Sequence, residues 1–91
     1  MNIDFDPVKS ARNERERQLP FEKAAEFQWE SAVVWQDTRK EYPETRMIGL
    51  GYLGKRLHVL CFVSEDDGIR VISLRKANAR EQKRYETQTT Y

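Results

Sequence analysis

The sequence predicts an α+β domain with a mostly antiparallel sheet and the element order β-α-α-β-β-β-β-α. Two observations support this fold class. Apolar runs with strand-like alternation follow one another at short intervals in the second half of the chain, and helical patterns lie near its start and at its end. Short connections between strands indicate a meander, so we expect the helices to pack on one face of the sheet and the other face to stay open.

The first third of the chain predicts one strand and two helices. Residues 1–5 alternate in polarity as a short strand does. Asp6 and Pro7 are typical of a helix start, with Asp as the N-cap and Pro at the first helical position, and the helix runs to about residue 18. Residues 21–29 carry apolar side chains at helical spacing and predict a second helix.

Four strands follow, over residues 32–35, 46–52, 56–63 and 69–75. Gly54 marks a tight reversal between the second and third of these strands, and the third is apolar on both faces, as a central strand is. In the last strand, strict alternation places one set of side chains on a single face: Ile69, Val71, Ser73 and Arg75.

The final helix begins at Asn78, because Asn78 and Glu81 form a variant of the capping box. Three basic side chains of this helix share one side: Arg80, Lys83 and Arg84. A strand that ends in Arg75 and continues into a basic helix predicts a local site for anions. The charge distribution agrees, since residues 1–45 hold 7 Lys and Arg against 10 Asp and Glu, whereas residues 46–91 hold 9 against 5.

Composition excludes several classes of protein. The single Cys61 permits no disulfide framework, which suits the cytoplasm. The amino terminus does not resemble a signal peptide, and no run is apolar enough for a membrane span. One His, one Cys and no carboxylate cluster predict neither a metal site nor a cofactor. His58 lies within an apolar strand and is interpreted as a hydrogen-bonded core residue.

Two segments resemble the BrnT family of toxins: FDPVKSARN at residues 5–13 and RVISLRKANAREQKRY at residues 70–85. The resemblance extends from residue 3 to 86, which predicts one toxin domain over residues 1–86 and a flexible tail over 87–91. It implies a RelE-like fold, RNA cleavage that blocks translation, and neutralisation by a BrnA-like ribbon-helix-helix antitoxin in a 2:2 complex, with DNA bound only through the antitoxin. The family usually has Lys-His-Gly where this chain has Glu16, Arg17 and Gln18.

Metal-independent cleavage through the ribose 2′-hydroxyl requires positive charge on the phosphate oxygens and groups that transfer protons. Arginine suits the first task because its planar guanidinium binds phosphate bidentately. The catalytic candidates are Arg46, Arg75, Glu81 and Tyr85, and the candidates for RNA binding are Lys9, Arg80, Lys83 and Arg84.

Structural interpretations remain open for several of these residues. Arg46 pairs with an acidic neighbour in one of them, Glu81 serves as the capping residue, and Tyr85 packs the helix onto the sheet. The alternative function is a non-catalytic module that binds RNA or the antitoxin. A third interpretation is a structural subunit whose sheet edge accepts a segment of another protein.

Overall fold

The computed structural model describes residues 1–89 and has an α+β architecture with one five-stranded sheet. Its strands are β1 (Asn2–Phe5), β2 (Val33–Gln36), β3 (Met47–Leu53), β4 (Arg56–Glu65) and β5 (Gly68–Lys76). Its α-helices are α1 (Pro7–Arg17) and α2 (Ala79–Thr89), and two 3₁₀ helices span Phe21–Glu26 and Trp29–Ser31. None of the helices in residues 1–89 has the length and apolar character needed to cross a membrane.

The sheet has the strand order β1-β5-β4-β3-β2. Strands β2 to β5 form an antiparallel meander, which confirms the mostly antiparallel prediction, whereas β1 pairs with β5 in parallel. Gly68 lies opposite Asn2 in this parallel pair, and a Cβ atom at Gly68 would overlap the Asn2 backbone. Glycine is therefore required where β1 and β5 approach each other.

The two faces of the sheet pack against different helices. One face carries Leu60 and Leu74 against the first 3₁₀ helix, where Phe21 and Ala24 are buried. The opposite face carries Leu57 and Val59 in a second cluster that includes Tyr85 of α2. The prediction that all helices pack on one face is therefore wrong. The ring of Tyr85 packs on the apolar half of the second face, and this contact holds α2 on that face.

The segment between α1 and β2 departs from the predicted second α-helix. It forms the two short 3₁₀ helices instead, and Phe27, between them, packs its ring against the face of β3 that carries Gly49 and Gly51. The start of α1 is as predicted, since the Asp6 carboxylate accepts a hydrogen bond from the Val8 N–H. Gln18 closes α1 in the left-handed conformation, with φ 60° and ψ 30°.

Strand β5 contains a β-bulge that changes which side chains share a face. Cys61 pairs with Ser73 and Phe62 pairs with Val71, so Ile72 is an extra residue on β5. Strict alternation therefore fails in this strand. Val71 lies in the same core cluster as Leu74, whereas Ser73 and Arg75 lie on the opposite face.

Helix α2 begins with the predicted capping box. The Glu81 N–H donates to the Asn78 side chain, and the Asn78 N–H donates to the Glu81 carboxylate. The helix continues to Thr89, so residues 87–89 of the predicted tail are helical. The hydroxyls of Thr87 and Thr89 donate to the carbonyl oxygens of Lys83 and Tyr85, four residues earlier. The last two residues of that predicted tail, 90 and 91, lie outside the described residues.

Candidate functional site

An open groove lies on the second face of the sheet, between α2 and the loop that joins β2 to β3. Its volume is about 400 Å³, and its floor is formed by side chains of the central strands, among them Ile48, Val59 and Cys61. Three guanidinium groups line it, and each comes from a different part of the chain: Arg39 from the loop, Arg75 from β5 and Arg84 from α2. We call this surface the arginine groove.

Residues 37–46 form the β2–β3 loop, and the Asp37 carboxylate accepts four hydrogen bonds within it. The Asp37 carboxylate is 1% exposed and accepts two side-chain hydrogen bonds from Arg39, at 2.8 Å each. It also accepts one from the Arg39 backbone N–H at 3.2 Å and one from the Tyr42 hydroxyl at 3.0 Å. The loop closes through a 2.8 Å backbone hydrogen bond from the Asp37 N–H to the Arg46 carbonyl oxygen.

Two arginines stack on aromatic rings, Arg84 in the arginine groove and Arg46 in the neighbouring pocket of the β2–β3 loop. The guanidinium of Arg84 lies 4.0 Å from the centre of the Trp35 ring, and that of Arg46 lies 4.3 Å from the centre of the Tyr42 ring. Within residues 1–89, neither guanidinium forms an ion pair with a carboxylate. Stacking fixes the plane of each cation and leaves its N–H edge available to an anion.

Arg75 is already paired with a carboxylate of α2. Its two terminal nitrogens donate to the two oxygens of Glu81 at 2.8 and 2.7 Å, a bidentate ion pair. One of those nitrogens also donates to the Lys76 carbonyl oxygen. The pairing leaves the Nε proton and one Nη2 proton of Arg75 without a partner in the described part of the chain. Glu81 therefore serves the helix cap and the ion pair together.

Hydrogen bonds, charges and burial in the arginine groove shift the pKa values of several groups further from 7. The hydrogen bonds from Arg39 hold the pKa of Asp37 well below its usual range, and those from Arg75 lower the pKa of Glu81. Burial raises the pKa of the Cys61 thiol, which the neighbouring Asp37 raises further. The two carboxylates are thus ionised and the thiol is protonated at pH 7. Arg39 and Arg75 are also close enough for Arg39 to lower the pKa of Arg75, against the larger rise caused by Glu81.

The predicted site residues fall into three groups. Arg75, Glu81 and Arg84 line the arginine groove, and Arg46 adjoins it through the β2–β3 loop. Arg80 and Lys83 lie exposed on α2 and do not line it.

Lys9 and Tyr85 lie away from the groove. Lys9 is exposed on α1, which packs on the first 3₁₀ helix at the other side of the sheet. The Tyr85 hydroxyl donates to the Ser31 carbonyl oxygen at 2.8 Å, and its ring is buried against Tyr52. Tyr85 is thus engaged as a packing residue.

His58 is a hydrogen-bonded core residue, as predicted. It is 4% exposed, its Nδ1 lies 2.8 Å from the Arg56 carbonyl oxygen, and burial lowers its pKa. A carbonyl oxygen only accepts, so Nδ1 carries the proton in this contact. Among residues 1–89, no group of three or more His, Cys, Asp or Glu side chains is arranged to bind a metal ion.

The sequence analysis did not single out three residues that line the arginine groove: Trp35, Asp37 and Arg39. Asp37 and Arg39 lie in a segment whose sequence is typical of a polar loop. An acidic and a basic residue at this spacing do not predict a particular site. The available signal was the alternation of β2 and β3, which places Trp35 beside Ile48 on the same face.

Guanidinium groups from three elements around a groove on the second face of the sheet define a surface suited to bind the phosphates of a polyanion. Comparison with known proteins agrees with a class of proteins that acts on a polyanion. A family model described as "Ribonuclease toxin, BrnT, of type II toxin-antitoxin system" matches residues 5–81. The chain therefore belongs to the BrnT family of ribonuclease toxins. Comparisons with curated proteins and with solved structures found no significant match.

Proposed function

We propose that this protein is an endoribonuclease toxin that binds an RNA phosphate in the arginine groove and cleaves the RNA there without a metal ion. The ribose 2′-hydroxyl attacks the phosphorus, and the bond from phosphorus to the 5′-oxygen of the next nucleotide breaks, with that oxygen taking a proton from water. The observation that carries the proposal is the convergence of Arg39, Arg75 and Arg84 around one groove, with Arg46 beside it. Membership in a family of ribonuclease toxins supports the choice of RNA as the polyanion.

The arginines divide into two kinds in this proposal. Arg46 and Arg84 form no ion pair in residues 1–89, so binding a phosphate costs them no broken carboxylate contact. Arg75 retains two uncommitted N–H protons, which suit the charge that develops on the non-bridging oxygens as the ribose 2′-hydroxyl attacks phosphorus. Arg80 and Lys83 bind flanking phosphates from the exposed side of α2.

Glu81 is the proposed acceptor of the 2′-hydroxyl proton. It lines the arginine groove, whereas the other carboxylate there, that of Asp37, already accepts four hydrogen bonds. A phosphate that competes for Arg75 would free one Glu81 oxygen for this role. The lowered pKa of Glu81 makes it a weak base, which predicts slow cleavage. Tyr85 has no role in this proposal because its hydroxyl is committed to Ser31.

The biological context follows from the family. A type II toxin has an antitoxin partner, and we propose that it is a BrnA-like ribbon-helix-helix protein in a 2:2 complex that contacts DNA through the antitoxin. We further propose that the toxin domain over residues 1–86 has a RelE-like fold, acts in the cytoplasm and blocks translation by cleaving RNA. Co-purification of the toxin with the product of the adjacent reading frame tests the partner directly.

The decisive test is incubation of the purified protein with RNA in the presence of a chelator. We expect shortened RNA, and we expect Arg84→Ala and Arg75→Ala each to reduce cleavage by roughly tenfold or more, as loss of a charged contact to phosphate does. The matched control is Arg15→Ala, because Arg15 is an exposed arginine of α1 outside the groove. Intact RNA at high protein concentration, with the protein folded, would contradict the proposal.

A non-catalytic RNA-binding module is the second candidate, and one observation favours it. The shifted pKa values of Asp37, Glu81 and Cys61 in the arginine groove all lie further from neutrality than their usual values. A groove of this kind binds phosphate without an efficient proton carrier. This candidate predicts salt-sensitive RNA binding with no cleavage product, and with the same loss of affinity in Arg84→Ala.

A further inference from the structure

The contacts of Asp37 have a consequence for the arginine groove that net charge alone does not predict. Asp37 is an acid beside a site for an anion, so its charge should repel RNA. Yet its carboxylate is buried and bonds two residues of the β2–β3 loop, Arg39 and Tyr42. Arg39 lines the groove, and Tyr42 carries the stacked guanidinium of Arg46.

We propose that Asp37 is a positioning residue that fixes Arg39 in the arginine groove and Arg46 beside it, so that RNA binds more tightly with this acid than without it. The inference rests on the proposed function, since it takes RNA as the ligand. It adds a residue that lies outside the resemblance motifs and that acts through two others rather than on the RNA.

The geometry shows why one carboxylate can fix both cations. Two hydrogen bonds to the Arg39 guanidinium and one to its backbone N–H define the side-chain and main-chain positions of Arg39. The bond from the Tyr42 hydroxyl fixes the ring on which Arg46 stacks. With the carboxylate removed, the Tyr42 hydroxyl and the Arg39 guanidinium lose a common partner, and ten residues of loop gain conformational freedom.

A positioning role and simple electrostatics predict opposite changes in RNA affinity when the charge of Asp37 is removed. Removing a negative charge near a phosphate site should tighten RNA binding if only net charge matters. If Asp37 positions the loop, its removal should weaken binding, because the two guanidiniums must then be ordered at the expense of binding energy. The sign of the change in affinity therefore separates the two accounts.

The experiment measures binding of a single-stranded RNA oligonucleotide to wild type, Asp37→Asn and Asp37→Ala. The matched control is Glu41→Gln, since Glu41 is an exposed acid of the same loop with no hydrogen bond or ion pair among residues 1–89. We expect Asp37→Ala to bind roughly tenfold more weakly, the loss of about one charge-assisted contact. Glu41→Gln should bind equally or slightly more tightly.

A double-mutant cycle tests whether Asp37 acts through Arg46. Combining Asp37→Ala with Arg46→Ala should cost less affinity than the two single losses together, because the second change removes a cation that the first has already released. The same cycle with Lys83→Ala should be additive. A thermal melt of each variant establishes that it is folded.

Amide hydrogen exchange distinguishes failure of this proposal from failure of the proposed function. Asp37→Ala should accelerate exchange of the Arg39 amide, whose acceptor is the Asp37 carboxylate, and leave that of the β4 amides unchanged. Folded Asp37 variants that bind RNA as tightly as wild type would overturn the proposal. If wild type binds no RNA, the proposed function fails, and unchanged exchange in the loop would overturn the positioning role as well.

Discussion

Glu81→Gln separates two roles that Glu81 combines, the cap of α2 and the ion pair with Arg75. Glutamine at this position still accepts the hydrogen bond from the Asn78 N–H, so the capping box survives and the ion pair is lost. The side chains of Arg75 and Glu81 are 37% and 25% exposed, between a surface pair and a buried one. Exposed pairs contribute about 0–1 kcal/mol, and we expect this bidentate pair to contribute about 1–2 kcal/mol.

Chemical denaturation at several pH values measures this contribution. Because the pKa of Glu81 is lowered in the folded protein, the stabilisation is fully present above the usual glutamate pKa of about 4.3. It is lost as pH falls below that value, so the difference between wild type and Glu81→Gln should vanish in acid. Glu86→Gln is the matched control, because Glu86 is an exposed acid of the same helix without an ion pair in residues 1–89.

The Glu81→Gln substitution should lower stability but raise the affinity for RNA. Freeing Arg75 adds about one cation to the arginine groove, so Glu81→Gln should bind single-stranded RNA several-fold more tightly. The dependence of log affinity on log salt should steepen by about 0.7. Cleavage should fall if Glu81 accepts the proton. Unchanged stability together with unchanged or weaker RNA binding would refute the reasoning that this ion pair restrains Arg75.

Three further changes test the fold. Gly51→Ala should destabilise the protein by about 1–3 kcal/mol in a denaturant titration, because the new Cβ would lie 2.7 Å from the ring of Phe27; an unchanged midpoint would contradict the packing. Gln18→Gly should stabilise it by about 0.5–1 kcal/mol, since glycine adopts the left-handed conformation without strain. His58 has a lowered pKa in the folded protein, so wild type should lose stability as pH falls below about 6.5, whereas His58→Gln should not show that loss.

The sequence contained enough information for the fold class and for most elements. Strand alternation and helix capping are local patterns, and the starts of α1 and α2 at Asp6 and Asn78 match their caps in the structure. Local patterns do not predict that α2 packs on the second face, because this depends on the contact of Tyr85 with apolar residues that are distant in the sequence. The 3₁₀ geometry after α1 likewise depends on the ring of Phe27 against two glycines of β3.

The candidate site was only partly predictable for the same reason. Arg75 and Arg84 belong to a continuous motif and lie together because a strand leads directly into a helix. Arg39 and Asp37 reach the groove only through the antiparallel pairing of β2 with β3, which no short motif encodes. The capping role that competed with catalysis for Glu81 is present in the structure, together with an ion pair that spacing alone does not reveal.

The extra residue at Ile72 sets the orientation of everything that follows it in β5. With it, the first half of the strand contributes Val71 to the core, and the second half exposes Arg75 on the opposite side. In a regular strand of the same residues, without the bulge, alternation from Val71 would direct the Arg75 guanidinium into the apolar interior and place Leu74 on the side of the groove. The bulge, rather than the identity of any charged residue, thus decides whether β5 presents a cation there at all.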